Sequence, residues 1–175
     1  RHPLSMIVNF IGPPCAGKSY VASRYTLEHP SWGYVSIDAC RVEQADENKA
    51  WGLLERKLRA TDLAILESSG LSWRLPGILA RQDREILTLC LLAQREVLHE
   101  RLEKRQFKRK IPYRLRMDEA QAIDWVLQNL DECEYPVAQF IRTDEISKEE
   151  LYSLVSENKP ERRLEISNNE KTENV

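Results

Sequence analysis

The chain has 175 residues, 42% of them hydrophobic and 31% charged, which is material for one domain with one core and a heavily charged surface. Lys and Arg number 26 against 28 Asp and Glu, a formal charge of −2, which excludes nucleic-acid binding by bulk charge but not by a local patch. No apolar run approaches the roughly 20 residues of a membrane helix, and the opening Arg1-His2-Pro3-Leu4 carries no apolar segment of a signal peptide. Cys15, Cys40, Cys90 and Cys133 lie far apart with no C-x-x-C pair, which argues against a disulfide framework or zinc knuckle and for a reducing cytoplasm.

The chain alternates short apolar runs with longer amphipathic stretches. Ser5–Ile11 is a continuous apolar run stopped by Gly12, the pattern of a strand buried on both faces. Lys18–Glu28 sets Val21, Ala22 and Tyr25 on one helical face before His29-Pro30. Tyr34–Ile37 predicts a second strand, Glu47–Leu58 a helix with Ala50, Trp51, Leu54 and Leu58 inward, and Leu63–Leu66 a third strand ended by Ser68-Ser69-Gly70. A short helix over Leu75–Arg81 is weakened by Pro76 and Gly77. Glu85–Ala93 is the longest apolar run, a central strand, followed by helices over Gln94–Arg105 and Asp118–Leu130 and a fifth strand over Val137–Ile141. Ser147 and Glu150 form a capping box for a last helix. From Asn158 onward charges and amides dominate, so the expected organisation is one domain over residues 1–157 and a mobile polar tail over 158–175. Strands alternating with helices imply an α/β fold with a parallel sheet covered on both faces.

Residues 12–19, GPPCAGKS, match G-x-x-x-x-G-K-[ST] in full between a predicted strand and a predicted helix. Such a loop cradles phosphate oxygens with backbone N–H groups and the positive end of the following helix. Gly12, Pro13, Cys15, Ala16, Gly17, Lys18, Ser19 and Tyr20 are the residues expected to hold a nucleoside triphosphate, with Lys18 on the β- and γ-phosphates and the Ser19 hydroxyl on Mg²⁺. The plainer reading is a glycine turn between strand and helix. The string resembles the GPPGAGKS loop of P-loop kinases acting on small molecules and nucleic-acid ends, with Cys15 where glycine is usual. If that position needs a positive φ, cysteine there costs about 1–2 kcal/mol. Cys15 is either a tolerated loop residue or an oxidisable thiol beside a helix N-terminus.

That resemblance implies a three-layer P-loop NTPase fold, a five-stranded mainly parallel sheet with a helical lid, and ATP with Mg²⁺ as cofactors. Asp38 and Arg41 follow the second strand, at the end of the sheet where ligands bind. A carboxylate there can take the proton of an acceptor hydroxyl, and an arginine can hold an anionic group of the acceptor bidentately. Asp38-Ala39-Cys40-Arg41 also resembles the D-x-x-R motif of polynucleotide 5′-hydroxyl kinases, which implies Asp38 as general base and Arg41 on the acceptor phosphate; a helix cap with its partner arginine is the alternative. Glu67 closes the third strand where kinases of this type keep an acid, usually Asp, for a Mg²⁺-bound water or the acceptor hydroxyl; its alternative is a capping region with Ser68 or Ser69. Arg74 is either acceptor-facing or a surface residue.

Between Arg101 and Arg116 stand eight basic residues and one acid, a local charge of about +7. Related kinases place a mobile lid there, so Arg101 and Arg105, at i, i+4, are expected to close on the transferring phosphoryl, against the alternative of a solvated helix face. The function expected is γ-phosphate transfer from ATP to a polynucleotide 5′-hydroxyl. A small-metabolite kinase of the shikimate, gluconate or zeta-toxin type is the alternative acceptor reading, although the glycine run of shikimate kinases is replaced by Ser68-Ser69-Gly70. A nucleotide switch without acceptor and a nucleic-acid-binding module are the other readings, the latter leaving the loop unexplained. No membrane partner is expected, and oligomeric state is not legible.

Overall fold

The computed structural model describes residues 5–109 and 113–157; the tail expected to be mobile from Asn158, and the side chains of 110–117 in the basic stretch, lie outside the described residues. Among the described residues, strands β1 (Met6–Ile11), β2 (Gly33–Ser36), β3 (Leu63–Glu67), β4 (Glu85–Leu92) and β5 (Gln139–Arg142) form one sheet in the order β2-β3-β1-β4-β5. Every pairing is parallel, so the expected α/β class holds. β1 is buried along its whole length because β3 and β4 flank it and helices cover both faces.

Strand alternation sorts the apolar residues into two layers. Met6, Val8 and Phe10 pack with Val21, Ala22 and Tyr25 of α1 (Lys18–Glu28), Leu98 and Leu102 of α5 (Arg95–Arg109), Ile123 of α6 (Tyr113–Asn129) and Leu151 and Val155 of α7 (Lys148–Glu157). Ile7 turns to the other face, against Ile37 and Cys40 of α2 (Ile37–Glu43), Ala50, Trp51, Leu54 and Leu58 of α3 (Glu47–Arg59), and Leu75, Ile78 and Leu79 of α4 (Leu75–Ala80). Leu54 is fully buried, so truncation to alanine is expected to cost about 2–5 kcal/mol.

Local chemistry explains the helix ends. Asp46 caps α3, accepting from the Lys49 N–H at 2.9 Å, and Arg56, Lys57 and Arg59 occupy its last turn, where the dipole favours cations. Pro76 sits in the first turn of α4, where its missing N–H costs nothing. Ser147 caps α7, accepting from Glu150 N–H at 3.1 Å.

Four boundaries differ from the expectation. Ile37 does not extend the second strand: Ser36 caps a short helix there, its Oγ accepting from Ala39 N–H at 3.4 Å, so Asp38 and Arg41 ride on α2. The two helices around the basic stretch reach further, α5 to Arg109 and α6 from Tyr113. The last strand is shifted toward Arg142.

Because β1 lies between β3 and β4, the connections that leave the carboxyl ends of these strands diverge to opposite sides. A crevice opens at such a point. The loops after β1, β2, β3 and β5 all border it.

Candidate active site

The loop between β1 and α1 owes its shape to backbone positions that few side chains tolerate. Gly12 has φ +136°, and a Cβ there would lie 2.1 Å from the carbonyl oxygen of Leu91 in β4. Gly17 has φ +102° and caps α1 without a side chain, and the first turn of α1 holds no acid. The positive end of that helix therefore meets the cleft unneutralised. Cys15 has φ 66°, so the positive-φ condition considered for this position is met by a non-glycine residue. Burial pushes its thiol up from 9.0, against the opposing charge of Arg105. A raised thiol stays protonated, which favours the loop-residue reading of Cys15 over the reactive one.

Lys18 is almost wholly buried, and its Nζ donates to the carbonyl oxygens of Gly12 and, at 3.1 Å, Pro13. Burial lowers its affinity for a proton, and the charges of Glu67 and Asp38 raise it. Both expected carboxylates thus act on the cation held by the Gly12 and Pro13 carbonyls. Burial likewise pushes the Glu67 carboxyl up, opposed by Lys18.

These residues line one cavity of about 1480 Å³. Its wall includes Cys15, Ala16, Gly17, Lys18, Ser19 and Tyr20 from the loop and α1, Asp38 and Arg41 from α2, Glu67 from β3, and Arg101, Arg105 and Arg109 from α5. Gly12 and Pro13 lie behind, as acceptors for Lys18. Ser19 is exposed to the cavity, while Tyr20 accepts from Arg24 Nη1 at 3.2 Å. Arg74 does not line it: its Nη2 donates to Asn48 Oδ1 at 2.6 Å, and its guanidinium lies over the Trp73 ring, 4.6 Å from the centroid.

The arginines differ in what they already hold. Arg41 gives Nε and Nη2 to the two carboxylate oxygens of Glu47, at 3.1 and 2.7 Å, and Nη1 to Asp38 Oδ1 at 3.2 Å. The Arg41 guanidinium, helped by the Trp51 indole at 2.9 Å, holds the Glu47 carboxyl down at about 2. Arg101 donates to the Cys15 carbonyl at 3.2 Å, to Thr143 Oγ1 at 3.0 Å and to the Thr143 carbonyl at 3.0 Å. It ties the loop after β1 to the loop after β5. Among the described residues Arg105 has one ion-pair partner, Glu119, 3.8 Å away.

Four participants were not singled out in the sequence: Tyr34, whose Oη donates to Glu67, and Glu47, Trp51 and Thr143. Glu47 and Trp51 carry a signal, i, i+4 spacing on α3, although Trp51 alone reads as a core residue. Tyr34 and Thr143 carry none.

Among the described residues no three His, Cys, Asp or Glu side chains converge to hold a metal ion. A Mg²⁺ ion in a nucleotide site takes most of its oxygens from phosphates and waters. The Ser19 hydroxyl and the Glu67 carboxylate border the same cavity and fit the remaining positions.

The sequence matches no family model and no curated protein. Solved structures do resemble the fold. Shikimate kinase from Bacteroides thetaiotaomicron is 12% identical at TM-score 0.62, covering 87% of this chain and 97% of that one. A candidate kinase from Chloroflexus aurantiacus is 14% identical at TM-score 0.60, covering 90% and 97%. A component of the Pnkp1/Rnl/Hen1 RNA repair complex is 18% identical at TM-score 0.54; the alignment covers 79% of this chain and only half of that longer one. Among the described residues no helix is long and apolar enough to cross a membrane. At these identities the likeness establishes the architecture alone: the chain shares the parallel α/β fold of these kinases.

Proposed function

We propose that the protein is an ATP-dependent phosphotransferase that moves the γ-phosphate to an acceptor hydroxyl, with a polynucleotide 5′-OH as the acceptor. The observation that carries this reading is the meeting of Lys18, Asp38 and Glu67 in one cleft, where both carboxylates act on the ammonium held by the phosphate loop. A phosphate-binding loop alone serves a switch equally well; a carboxylate at the acceptor end serves a transfer.

In this reading the loop and the open end of α1 bind the triphosphate, and Lys18 turns from the Gly12 and Pro13 carbonyls toward the β- and γ-phosphates. Asp38 orients the acceptor hydroxyl and takes its proton as the acceptor oxygen bonds to the γ-phosphorus. The bond from phosphorus to the β,γ-bridging oxygen breaks, and a nucleoside diphosphate leaves. Ser19 and Glu67 would hold Mg²⁺, which neutralises phosphate charge when bound. Arg105 faces the charge that spreads onto the γ-phosphate oxygens, and Arg101 fixes the loop.

Arg41 joins the acceptor to the base, because Glu47 occupies its side and leaves part of its outer edge for an anion beside the attacking hydroxyl. The occupied donors also favour a second reading. An uncharged small-metabolite acceptor needs no free arginine fork, and Arg41 with three donors engaged suits it.

Transfer of labelled γ-phosphate is the test, run on 5′-hydroxyl oligonucleotides and a panel of metabolite alcohols, with Lys18→Ala as control. A labelled oligonucleotide 5′ end is expected, with transfer lost in Lys18→Ala by at least 10²–10³-fold. Free phosphate without a labelled acceptor would establish the switch reading instead. Equal turnover in variant and parent would remove the kinase reading altogether.

A further inference from the structure

The chemistry above makes no use of Trp73. Its indole is 79% exposed in the loop between β3 and α4, next to Ser72, which borders the cleft. Tryptophan is highly buried on average, so an indole left this open is an unusual surface feature. Of the other exposed aromatics, Tyr34 and Trp125 line the cleft itself and are less open, at 37% and 54%, and Phe107 and Phe140 lie beside no cleft residue in the chain.

Trp73 is also held in place. The Arg74 guanidinium lies 4.6 Å from the ring centroid, within cation–π range. Arg74 is in turn pinned by its 2.6 Å hydrogen bond to Asn48. Asn48 follows Glu47 in the first turn of α3, and Glu47 is the residue that fixes Arg41. One helical turn therefore orients both the cleft arginine and, through Arg74, the exposed indole. The ordering cost of a stacking surface is reduced when the plane is fixed before the ligand arrives.

We propose that Trp73, backed by Arg74, is a stacking platform for the nucleobase at the 5′ end of a single-stranded nucleic-acid acceptor. An exposed aromatic plane with a guanidinium on it is the surface that unpaired bases stack upon, and it accepts any base because every base has a π-face. The platform extends the acceptor site beyond the cleft without adding a charge to it. It rests on the reading of the acceptor as a nucleic acid.

The test compares two 5′-hydroxyl single strands that differ only in the terminal nucleotide, one bearing a base and one abasic, in the parent, Trp73→Ala, Trp73→Phe and Arg74→Ala. Trp73 belongs to neither hydrophobic core, so Trp73→Ala is expected to melt with the parent. Trp73→Ala should raise KM for the base-bearing strand about 5- to 150-fold, the equivalent of about 1–3 kcal/mol per stacked base. KM for the abasic strand and for ATP should stay within about twofold of the parent, and Trp73→Phe should recover most of the loss. Arg74→Ala should give a smaller rise in the same direction. Unchanged KM for the base-bearing strand in Trp73→Ala overturns the platform, and so does an equal loss on the abasic strand. If the parent itself phosphorylates neither strand, the nucleic-acid reading fails and the platform with it, a result told apart by the parent's own inactivity.

Discussion

Alanine at Gly12 puts the geometry of the phosphate loop to a direct test. The added Cβ would sit 2.1 Å from Leu91 O and 3.1 Å from the Leu91 carbonyl carbon, where ordinary contact begins at 3.4 Å. The shortfall of roughly 1.3 Å at the oxygen cannot be relieved by a side chain, since the clashing atom is backbone and Leu91 of β4 is held in register by Ile141 of β5. The loop must move instead. Positive φ for alanine costs about 1–2 kcal/mol and overpacking about 1–3 kcal/mol, so about 2–5 kcal/mol of stability is at stake. For a domain of this size that lowers Tm by about 5–15 °C. The displaced carbonyls of Gly12 and Pro13 are the ones that hold Lys18, so nucleotide affinity should fall as well. Thermal unfolding and a nucleotide titration check both. A Gly12→Ala protein that melts within 2 °C of the parent (about 1 kcal/mol or less) and binds nucleotide equally would refute the argument. Cys15→Gly is the contrasting case: it relieves about 1–2 kcal/mol of backbone strain but loses a side chain packed on the core and gains about 0.5–1 kcal/mol of unfolded freedom. Its stability should stay within about 1 kcal/mol of the parent, these terms being opposed.

Asp38→Asn should lower kcat by about 10²–10⁴-fold with little change in KM for ATP; a loss mainly in ATP affinity would make Glu67 the better base. Arg41→Ala should raise KM for an oligonucleotide and leave ATP binding unchanged, with Lys rescuing only in part because it lacks the fork; indifference to both substitutions and to salt would favour the metabolite acceptor. Glu67→Gln tests burial through pH. The carboxyl is pushed above 4.5 in the native chain, so the native state holds this proton more tightly than the unfolded one, and the associated stability is full below about pH 4.5 and lost as pH rises through the native value. The stability of the parent relative to Glu67→Gln should therefore decline as pH rises above 4.5, and denaturant midpoints whose difference stays constant as pH rises from below 4.5 would contradict this.

The sheet was legible where burial makes a strand a continuous apolar run, as in β1 and β4, and where glycine, proline or serine bracket it. α2 was not, for a physical reason. Val35 and Ile37 continue a β-branched pattern across the boundary, and a helix of seven residues with only Ile37 and Cys40 buried has too few turns to show a period. The stop signal was present in Ser36, which caps the helix, but a lone serine after a strand is ambiguous. Around the basic stretch the error ran the other way. Arg, Lys, Glu and Gln favour helix through propensity alone and leave no apolar stripe at its end, so α5 continues beyond the point where periodicity fades.

The site divides along the same line. The shape of the loop between β1 and α1 is legible because its pattern is contained in eight consecutive residues. The availability of each arginine is not, because it depends on partners far away in the chain. Arg101 meets Thr143 across 42 residues and Cys15 across 86, contacts that join the loop after β1 to the loop after β5. Arg41 finds Glu47 only six residues on, yet that contact required knowing that α2 and α3 are separate helices. Arg105 shares Glu119 with Gln106, which takes the carboxylate at 2.8 Å, and its Nε has no hydrogen-bond partner. An anion entering the cleft therefore competes with three engaged donors at Arg41 and three hydrogen bonds at Arg101, but with one loose contact at Arg105. Displacing a charged partner costs more the better it is held. Among the described residues Arg105 is thus the least engaged of the three, although all three are the same residue type in the sequence.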